Sequence, residues 1–431
     1  MKSSLLSFLT VAGTAWAWLP QDSDLSAFNQ TARFEELGKR WEPALPGGIN
    51  KIRGVNFGGW LICEPWMMQN EWRNNLGCGD SQSEFDCMRN HYSGSNRATG
   101  NQRFENHWRD WINPATVQSV YDVGLNTIRI PIGYWSFVDI VETSSEPFAD
   151  GNRMLPYLDA VVQKAAELGI YVIIDLHGAP GGQQEDAFTG QLNRPAGFFN
   201  DYNFGRAQRW MAWMAERIHT NSAYRTVGML QALNEPVSRH DGGGRYPAPG
   251  QEPGLIQSFY PAALKAVRDV ESRLNVASNR KLHVQFMSSK WDSGNARDTA
   301  AVRNDALIGF DDHNYIGFAL GNDRNRDQGE LMRSACRDSR VVSGQDYAIT
   351  GEWSMTSGVD WQNGDFFKRF FTAQQQLYEK PGMDGWVYWT WKTELNDPRW
   401  TYSHATSLGY VPTNAVALEN NVYQDVCAGY T

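Results

Sequence analysis

The sequence predicts an α/β fold, a (β/α)8 TIM barrel with loop insertions on one face. Short apolar runs rich in β-branched residues alternate with longer segments of helical apolar spacing along the 431 residues. Such alternation is typical of a parallel sheet with crossover helices, and eight units of this kind close a barrel. A doubly wound open sheet is the alternative, but no glycine fingerprint for a dinucleotide is found in the chain.

The apolar runs predict eight strands, and four intervening segments have the spacing of amphipathic helices. The strands are predicted at 52–56, 127–131, 171–175, 228–233, 282–286, 306–310, 347–351 and 385–388. The helices are predicted at 155–168, 203–219, 255–272 and 365–379. In the first helix Leu158, Val161, Val162 and Ala165 recur at helical spacing, so one apolar stripe should face the sheet.

Residues 1–17 have the features of a secretory signal peptide. Lys2 gives a positive start, residues 5–11 are apolar, and Ala15-Trp16-Ala17 is a small-x-small cleavage site. The apolar run is too short to span a bilayer. We therefore expect a secreted protein, extracellular or in the cell wall, with residues 18–431 forming a single catalytic barrel domain.

The composition limits the class of partner. A net charge of −9 argues against nucleic acid or an anionic membrane surface, both of which favour a basic face. The 18 Trp, 17 Tyr and 20 Phe residues are explained mainly by a large core, although flat aromatic faces also suit carbohydrate recognition. We expect a monomer.

The five cysteines lack the spacing of a metal site and, in an exported protein, can form disulfides. We expect Cys78 to pair with Cys87 and Cys336 with Cys427, which leaves Cys63 as a buried free thiol. A glycosylation acceptor, Asn29-Gln30-Thr31, lies in the polar N-terminal stretch.

Two glutamates are placed for cleavage of a glycosidic bond. Glu235 follows the fourth predicted strand and Glu352 the seventh, and the carboxyl ends of barrel strands meet at one face. Glycoside hydrolysis needs two carboxyl groups, one to protonate the leaving oxygen and one to attack the sugar carbon. We assign Glu235 as the acid/base, with the raised pKa, and Glu352 as the nucleophile. Asn234 is expected to contact the sugar 2-hydroxyl, while Arg129 and Tyr315 are expected to contact Glu352.

Other polar residues near strand ends allow alternative chemistry. Asp175, His177 and His313 are possible zinc ligands, and the histidines are otherwise structural or part of the site. Because the two glutamates already form a complete acid/base system, we expect no metal and no cofactor. Ser354 lacks a nucleophile-elbow motif, so a Ser-His-Asp hydrolase is not supported.

Two further features near the predicted site have open interpretations. Glu64 either binds sugar hydroxyls at the pocket floor or pairs with an arginine. Residues 178–183, Gly-Ala-Pro-Gly-Gly-Gln, lack the Gly-Lys-Ser/Thr ending of a phosphate loop, so they predict a tight loop near the substrate.

Six motifs together resemble glycoside hydrolase family five. They are Arg53-Gly54-Val55-Asn56-Phe57-Gly58-Gly59-Trp60, Asp175-Leu176-His177-Gly178, Asn234-Glu235-Pro236, His313-Asn314-Tyr315, Gly351-Glu352-Trp353-Ser354 and Trp389-Thr390-Trp391-Lys392. The resemblance runs from about residue 51 to about residue 410. It implies a retaining mechanism through a covalent glycosyl-enzyme, site roles for Arg129, His177 and His313, and a platform at Trp391.

Within that family the chain is most similar to fungal β-glucanases, with β-glucan as the implied substrate. Residues 64–66, 71–72, 77–79, 83–87, 188–191 and 224–230 resemble endo-β-1,6-glucanases. Gly58-Gly59-Trp60 and Trp391-Lys392-Thr393-Glu394 are more similar to exo-β-1,3-glucanases. We favour β-1,6 cleavage. The alternatives are an exo-β-1,3-glucanase and, from another class, an inactive glucan-binding barrel. The loops 69–100 and 239–252 are expected to shape the cleft.

Overall fold

The computed structural model describes residues 51–236, 254–291, 294–345 and 347–430. Eight parallel strands close into a barrel in sequence order, with the last strand paired to the first. The strands are β1 (Ile52–Asn56), β2 (Thr127–Gly133), β3 (Tyr171–Gly178), β4 (Val227–Gln231), β5 (His283–Met287), β6 (Ile308–Asn314), β7 (Ala348–Trp353) and β8 (Gly385–Tyr388). The predicted (β/α)8 TIM barrel is confirmed.

Helices surround the barrel, and further helices lie within the long connections between strands. In the described part of the chain they are α1 (Glu84–His91), α2 (Arg97–Trp111), α3 (Pro114–Asp122), α4 (Leu155–Leu168), α5 (Asp201–Thr220), α6 (Tyr260–Arg273), α7 (Ala300–Arg303), α8 (Ile316–Arg324), α9 (Gln328–Arg337), α10 (Gly364–Tyr378), α11 (Tyr402–Ser407) and α12 (Ala415–Asn421). Short π-helices occupy Glu71–Asn75 and Leu255–Phe259. Within the residues that the structure describes, no helix is both long and apolar enough to cross a membrane.

Helix α4 shows how the sequence pattern builds the outer layer. Leu158, Val161, Val162 and Ala165 are fully buried, as their spacing predicts. The helix ends at Gly169, whose φ of 73° is the left-handed conformation that glycine adopts without a steric penalty. The chain then turns directly into β3, so the cap determines where that strand begins.

The inside of the barrel changes from apolar to polar along the strands. One apolar cluster lies inside the barrel and consists of Ile52, Tyr171, Ile173, Met229, Ile349 and Val387, with Tyr347 packed against it. Because alternate side chains of a strand face the same side, residues further along point into the same interior. Asn56, Arg129, Asp175 and Gln231 form the next layer as one buried polar network. The apolar cluster thus closes one end, and the polar layer supports a site at the strands' carboxyl ends.

The eight predicted strands and four predicted helices are all present. The first and eighth strands have the predicted bounds, but β2, β3, β6 and β7 continue two to four residues further towards their carboxyl ends. His177, His313 and Glu352 therefore lie within strands, and the expectation that they follow strand ends is wrong. Polar residues do not end these strands because the barrel mouth is itself polar.

Both predicted disulfides are present, Cys78–Cys87 and Cys336–Cys427, and Cys63 is free and buried. The long segment 69–100 is folded around Cys78–Cys87 and contains the π-helix Glu71–Asn75 and α1. The signal peptide, Asn29 and the loop 239–252 lie outside the described residues.

Candidate active site

A pocket of about 280 Å³ opens at the carboxyl ends of the strands. It combines acidic, amide and aromatic side chains from several strand ends and loops. Its lining residues are Glu64, Trp66, His177, Asp186, Phe188, Asn234, Glu235, Tyr315, Phe318, Glu352, Trp389 and Trp400. The structure thus brings both predicted catalytic glutamates into one cavity, although they are far apart in sequence.

Arg129 connects the barrel interior to this pocket. Its side chain is fully buried, and its guanidinium donates to Glu352 Oε1 at 2.9 Å and to Asn234 Oδ1 at 2.8 Å. It also lies 2.9 Å from Asp175 Oδ2 and donates to Asn56 Oδ1 at 2.9 Å. Burial alone would lower the pKa of Arg129, but the charges of Asp175 and Glu352 outweigh burial and raise it. A permanent positive charge therefore lies beneath Glu352.

Glu352 is held at both carboxylate oxygens. Oε1 accepts from Arg129 and Oε2 accepts from the Tyr315 hydroxyl at 3.0 Å, so both contacts expected from the sequence are present. Burial raises the pKa of Glu352, while the charges of His313 and Arg129 act in the opposite direction. The raised pKa of Glu352 follows from its burial at the end of β7, in the mouth of the barrel.

Glu235 lies four residues beyond the end of β4 and is 9 % exposed. Its φ of 40° is unusual for a residue other than glycine and costs on the order of 1–3 kcal/mol. His313 Nδ1 lies 2.6 Å from Glu235 Oε1 and 3.4 Å from Glu352 Oε2. One oxygen of each glutamate lies within 4.8 Å of the other. This upper limit agrees with the roughly 5 Å typical of retaining glycosidases and is below the roughly 9 Å of inverting ones.

His313 lies between the two glutamates and is held from below by Asp311. Its Nε2 is 3.2 Å from Asp311 Oδ2, and Asp311 also accepts from the backbone N–H of Gly351 at 2.8 Å. Burial lowers the pKa of His313, but the charges of Glu352 and Asp311 raise it well above its usual value. Asp311 was missed in the sequence, although an acidic residue directly after the apolar run 308–310 was a usable signal.

The potential metal ligands are hydrogen-bonded to their neighbours. His177 Nδ1 lies 2.7 Å from Asp175 Oδ2, and His313 bonds Asp311 and Glu235. Within the described ranges, the group close enough to hold a cation is Glu235, His313 and Glu352. Two of the three, Glu235 and Glu352, are the carboxyl groups that must lie close together to act as acid and nucleophile. Asp175, His177 and His313 do not form such a group there.

The aromatic platform at the pocket differs from the expected one. Trp389 lines the pocket and stacks on His177, with ring centroids 5.6 Å apart and planes 8° apart. Trp391, the platform implied by the resemblance, is not among the lining residues and stacks on Tyr402 at 6.3 Å. After β8 the backbone N–H of Trp391 donates to the carbonyl of Asn56 at 3.0 Å, and its ring packs on Tyr402 and not in the pocket lining.

Glu64 lies in the pocket, and its Oε1 has no hydrogen-bond partner among the described residues, so the alternative of an arginine pair is not seen there. Its Oε2 accepts from the Trp66 indole at 2.8 Å, and burial raises its pKa well above the usual value. Trp66 packs against Trp400 at 5.0 Å. Sequence reasoning missed the other lining residues Trp66, Asp186, Phe188, Phe318 and Trp400, because their loops gave no indication of which side chains turn inwards.

Comparisons with known proteins place the chain in a family. The model for cellulase (glycosyl hydrolase family 5) matches residues 92–394. Glucan endo-1,6-beta-glucosidase B of Emericella nidulans is 39% identical over 95% of this chain and 96% of its own length. The glucan 1,3-beta-glucosidase of Blumeria graminis is 26% identical over 84% of this chain and 87% of its own.

A solved structure agrees at the level of the fold. Rutinosidase from Aspergillus niger matches with a TM-score of 0.65 at 21% identity, covering 84% of this chain and 97% of its own. Together with the family match and the paired glutamates, these likenesses agree with the resemblance seen in the sequence. The chain belongs to glycosyl hydrolase family 5 and is a glycoside hydrolase.

Proposed function

We propose that this protein is a secreted, endo-acting β-1,6-glucanase that retains anomeric configuration, with Glu352 as nucleophile and Glu235 as acid/base. The observation that carries the proposed chemistry is the close approach of the two carboxyl groups, because one oxygen of Glu235 lies within 4.8 Å of one oxygen of Glu352. Arg129 and Tyr315 support the nucleophile role because each donates to one oxygen of Glu352. These donors stabilise its ionised form.

In the proposed first step, a Glu352 oxygen attacks the anomeric carbon while Glu235 gives its proton to the glycosidic oxygen. The carbon–oxygen bond breaks, and the leaving sugar departs with that proton as its hydroxyl group. In the second step, the Glu235 carboxylate takes a proton from water, and the water oxygen attacks the anomeric carbon. The ester to Glu352 breaks, which regenerates its carboxylate and the acid form of Glu235. Asn234 lines the pocket beside Glu235 and is the proposed donor to the sugar 2-hydroxyl.

The linkage proposal rests on the relatives and on the sequence segments that resemble endo-β-1,6-glucanases. Relatives named glucan endo-1,6-beta-glucosidase B or probable glucan endo-1,6-beta-glucosidase B are 35–39% identical over at least 93% of this chain. Those named glucan 1,3-beta-glucosidase are 26–27% identical over 84%. Early products from linear β-1,6-glucan and β-1,3-glucan test the proposal. We expect oligosaccharides from the β-1,6 polymer, whereas release of glucose alone from the β-1,3 polymer would indicate the exo-acting alternative.

Export remains part of the proposal, with residues 1–17 as the signal peptide. The two disulfides support it because such bonds persist in oxidising compartments. Expression in a fungal host followed by N-terminal sequencing tests it. A mature chain beginning near Trp18 in the medium is the expected result, and a chain retained in the cell with Met1 would contradict it.

A further inference from the structure

The glycine-rich segment that begins at the last residue of β3, residues 178–183, is bonded through its own last residue to the backbone beside Glu235. Gln183 is fully buried, and its side-chain amide donates to the backbone carbonyls of His177 at 2.7 Å and Asn234 at 2.8 Å. The neighbouring Gln184 donates to the carbonyl of Glu235 at 3.1 Å. Two adjacent glutamines thus bind two adjacent carbonyls, and neither glutamine is among the residues that line the pocket.

These two carbonyls flank the bond whose rotation is unusual. The φ angle of Glu235 describes rotation about its N–Cα bond, between the carbonyl carbon of Asn234 and its own. That angle is 40°, a conformation that a glutamate adopts only when its surroundings hold it there. Gln183 fixes the carbonyl on one side of the bond and Gln184 fixes the carbonyl on the other.

Gln183 can act as a fixed point because its own position is determined by the loop. Its Oε1 accepts from the backbone N–H of Ala179 at 3.0 Å, and the turn is closed by the N–H of Gly182 donating to Ala179 at 2.9 Å. Strand β4 ends at Gln231, so Asn234 lies beyond its ladder and keeps one further backbone bond, to Leu176 at 3.0 Å. The position of the Asn234 carbonyl is therefore held by the side chain of Gln183.

We propose that Gln183, assisted by Gln184, is a positioning residue that holds Glu235 in the conformation from which it protonates the leaving oxygen. The inference rests on the proposed function, in which Glu235 is the proton donor. Without Gln183, rotation at Glu235 relaxes and its carboxyl group moves away from the glycosidic oxygen. The loss should therefore be specific to the proton-transfer step.

Leaving-group dependence isolates this step. Gentiotriose, a β-1,6-linked glucose trimer, releases a sugar that needs a proton, whereas dinitrophenyl β-gentiobioside releases a phenolate that needs none. For Gln183→Leu we expect kcat/KM on gentiotriose to fall by about 10- to 100-fold, below the full effect of losing an acid catalyst. We expect kcat/KM on the dinitrophenyl substrate to change by less than about threefold.

Matched variants separate the outcomes. Gln376 also donates to two backbone carbonyls, those of Val422 and Gln424, so Gln376→Leu removes the same kind of bonds and should leave both rates unchanged. Gln184→Ala, at a half-buried position, should show the selective loss at about three- to tenfold, and it tests the proposal even if Gln183→Leu does not fold.

Glu235→Ala is the reference for the proposed function. If Glu235→Ala lowers kcat/KM equally on gentiotriose and on the dinitrophenyl substrate, Glu235 is not the acid and the proposed function fails. If Glu235→Ala lowers kcat/KM only on gentiotriose, but the Gln183 and Gln184 variants lower kcat/KM equally on both substrates or on neither, only the positioning role is overturned.

Discussion

Two buried arginines on neighbouring strands show how the same kind of arginine–glutamate ion pair serves two purposes. Arg53 on β1 points outwards and donates to Glu379 at 2.8 and 2.6 Å, and it lies 2.7 Å from Glu419 of α12. Arg129 on β2 points inwards and donates to Glu352, which lines the pocket. Both side chains are at most 1 % exposed.

The difference lies in which partner reaches the substrate. Glu379 also accepts from the Trp386 indole at 2.9 Å and ties β8 to the end of α10. Glu352 has the same kind of cationic partner but faces an open cavity. Because alternate residues of a strand face opposite sides, one ion pair stabilises the sheet–helix layer and the other supports chemistry. The following predictions test this division.

The largest expected effect comes from a matched pair of glutamate substitutions. Glu352→Gln should lower kcat on β-1,6-glucan by on the order of 10⁴-fold or more, as removal of a nucleophile does, while the fold is kept. Glu379→Gln should leave kcat nearly unchanged and lower the free energy of unfolding. Steady-state kinetics and denaturant unfolding measure the two effects. Full activity of Glu352→Gln would show that the nucleophile is another residue.

Substitutions of the two arginines should differ in the same way, with kcat affected only at Arg129. Arg53→Met leaves two buried carboxylates without their partner and should lower the free energy of unfolding by about 3–5 kcal/mol. In its folded fraction kcat should be preserved. Arg129→Met should be destabilising too, but it should also lower kcat by about 10²- to 10³-fold, because a fixed charge beside the reacting carboxylate is lost. Equal kcat in the two folded variants would contradict the division.

The two disulfides give a smaller contrast in stability. Cys336–Cys427 spans 91 residues and Cys78–Cys87 spans 9. Constraint of the unfolded chain predicts losses of about 4–5 and about 2–3 kcal/mol when each pair is replaced by alanine. Urea unfolding of the two double variants measures the difference. If the short loop proved more stabilising, its effect would have to come from native contacts of the 69–100 segment.

The smallest effect is a displacement of the pH profile. Burial raises the pKa of Glu352, and attack requires its ionised form, so activity is lost as pH falls through that raised pKa. The acidic limb of kcat/KM should therefore lie above the usual glutamate value of 4.5. Tyr315→Phe removes a donor to the carboxylate and should move the limb further upwards. An acidic limb below 4.5 in the unaltered enzyme would show that Arg129 and His313 outweigh burial.

Much of the fold and half of the site followed from local patterns. Period and composition located all eight strands and the four predicted helices, because burial against a sheet imposes a regular spacing on the chain. The glutamates and the contacts of Arg129 and Tyr315 with Glu352 followed from the rule that strand ends converge. The disulfide pairs were also predicted correctly.

The sequence by itself therefore determined the barrel, the family resemblance and the identity of the two carboxyl groups. Only the tertiary structure decided that Trp389, and not Trp391, faces the pocket, and that Gln183 holds the backbone at Glu235. The physical reason is that the periodicity of strands and helices depends on residues that are close in sequence. The direction of a loop side chain depends instead on contacts with segments distant in sequence, which no local pattern records.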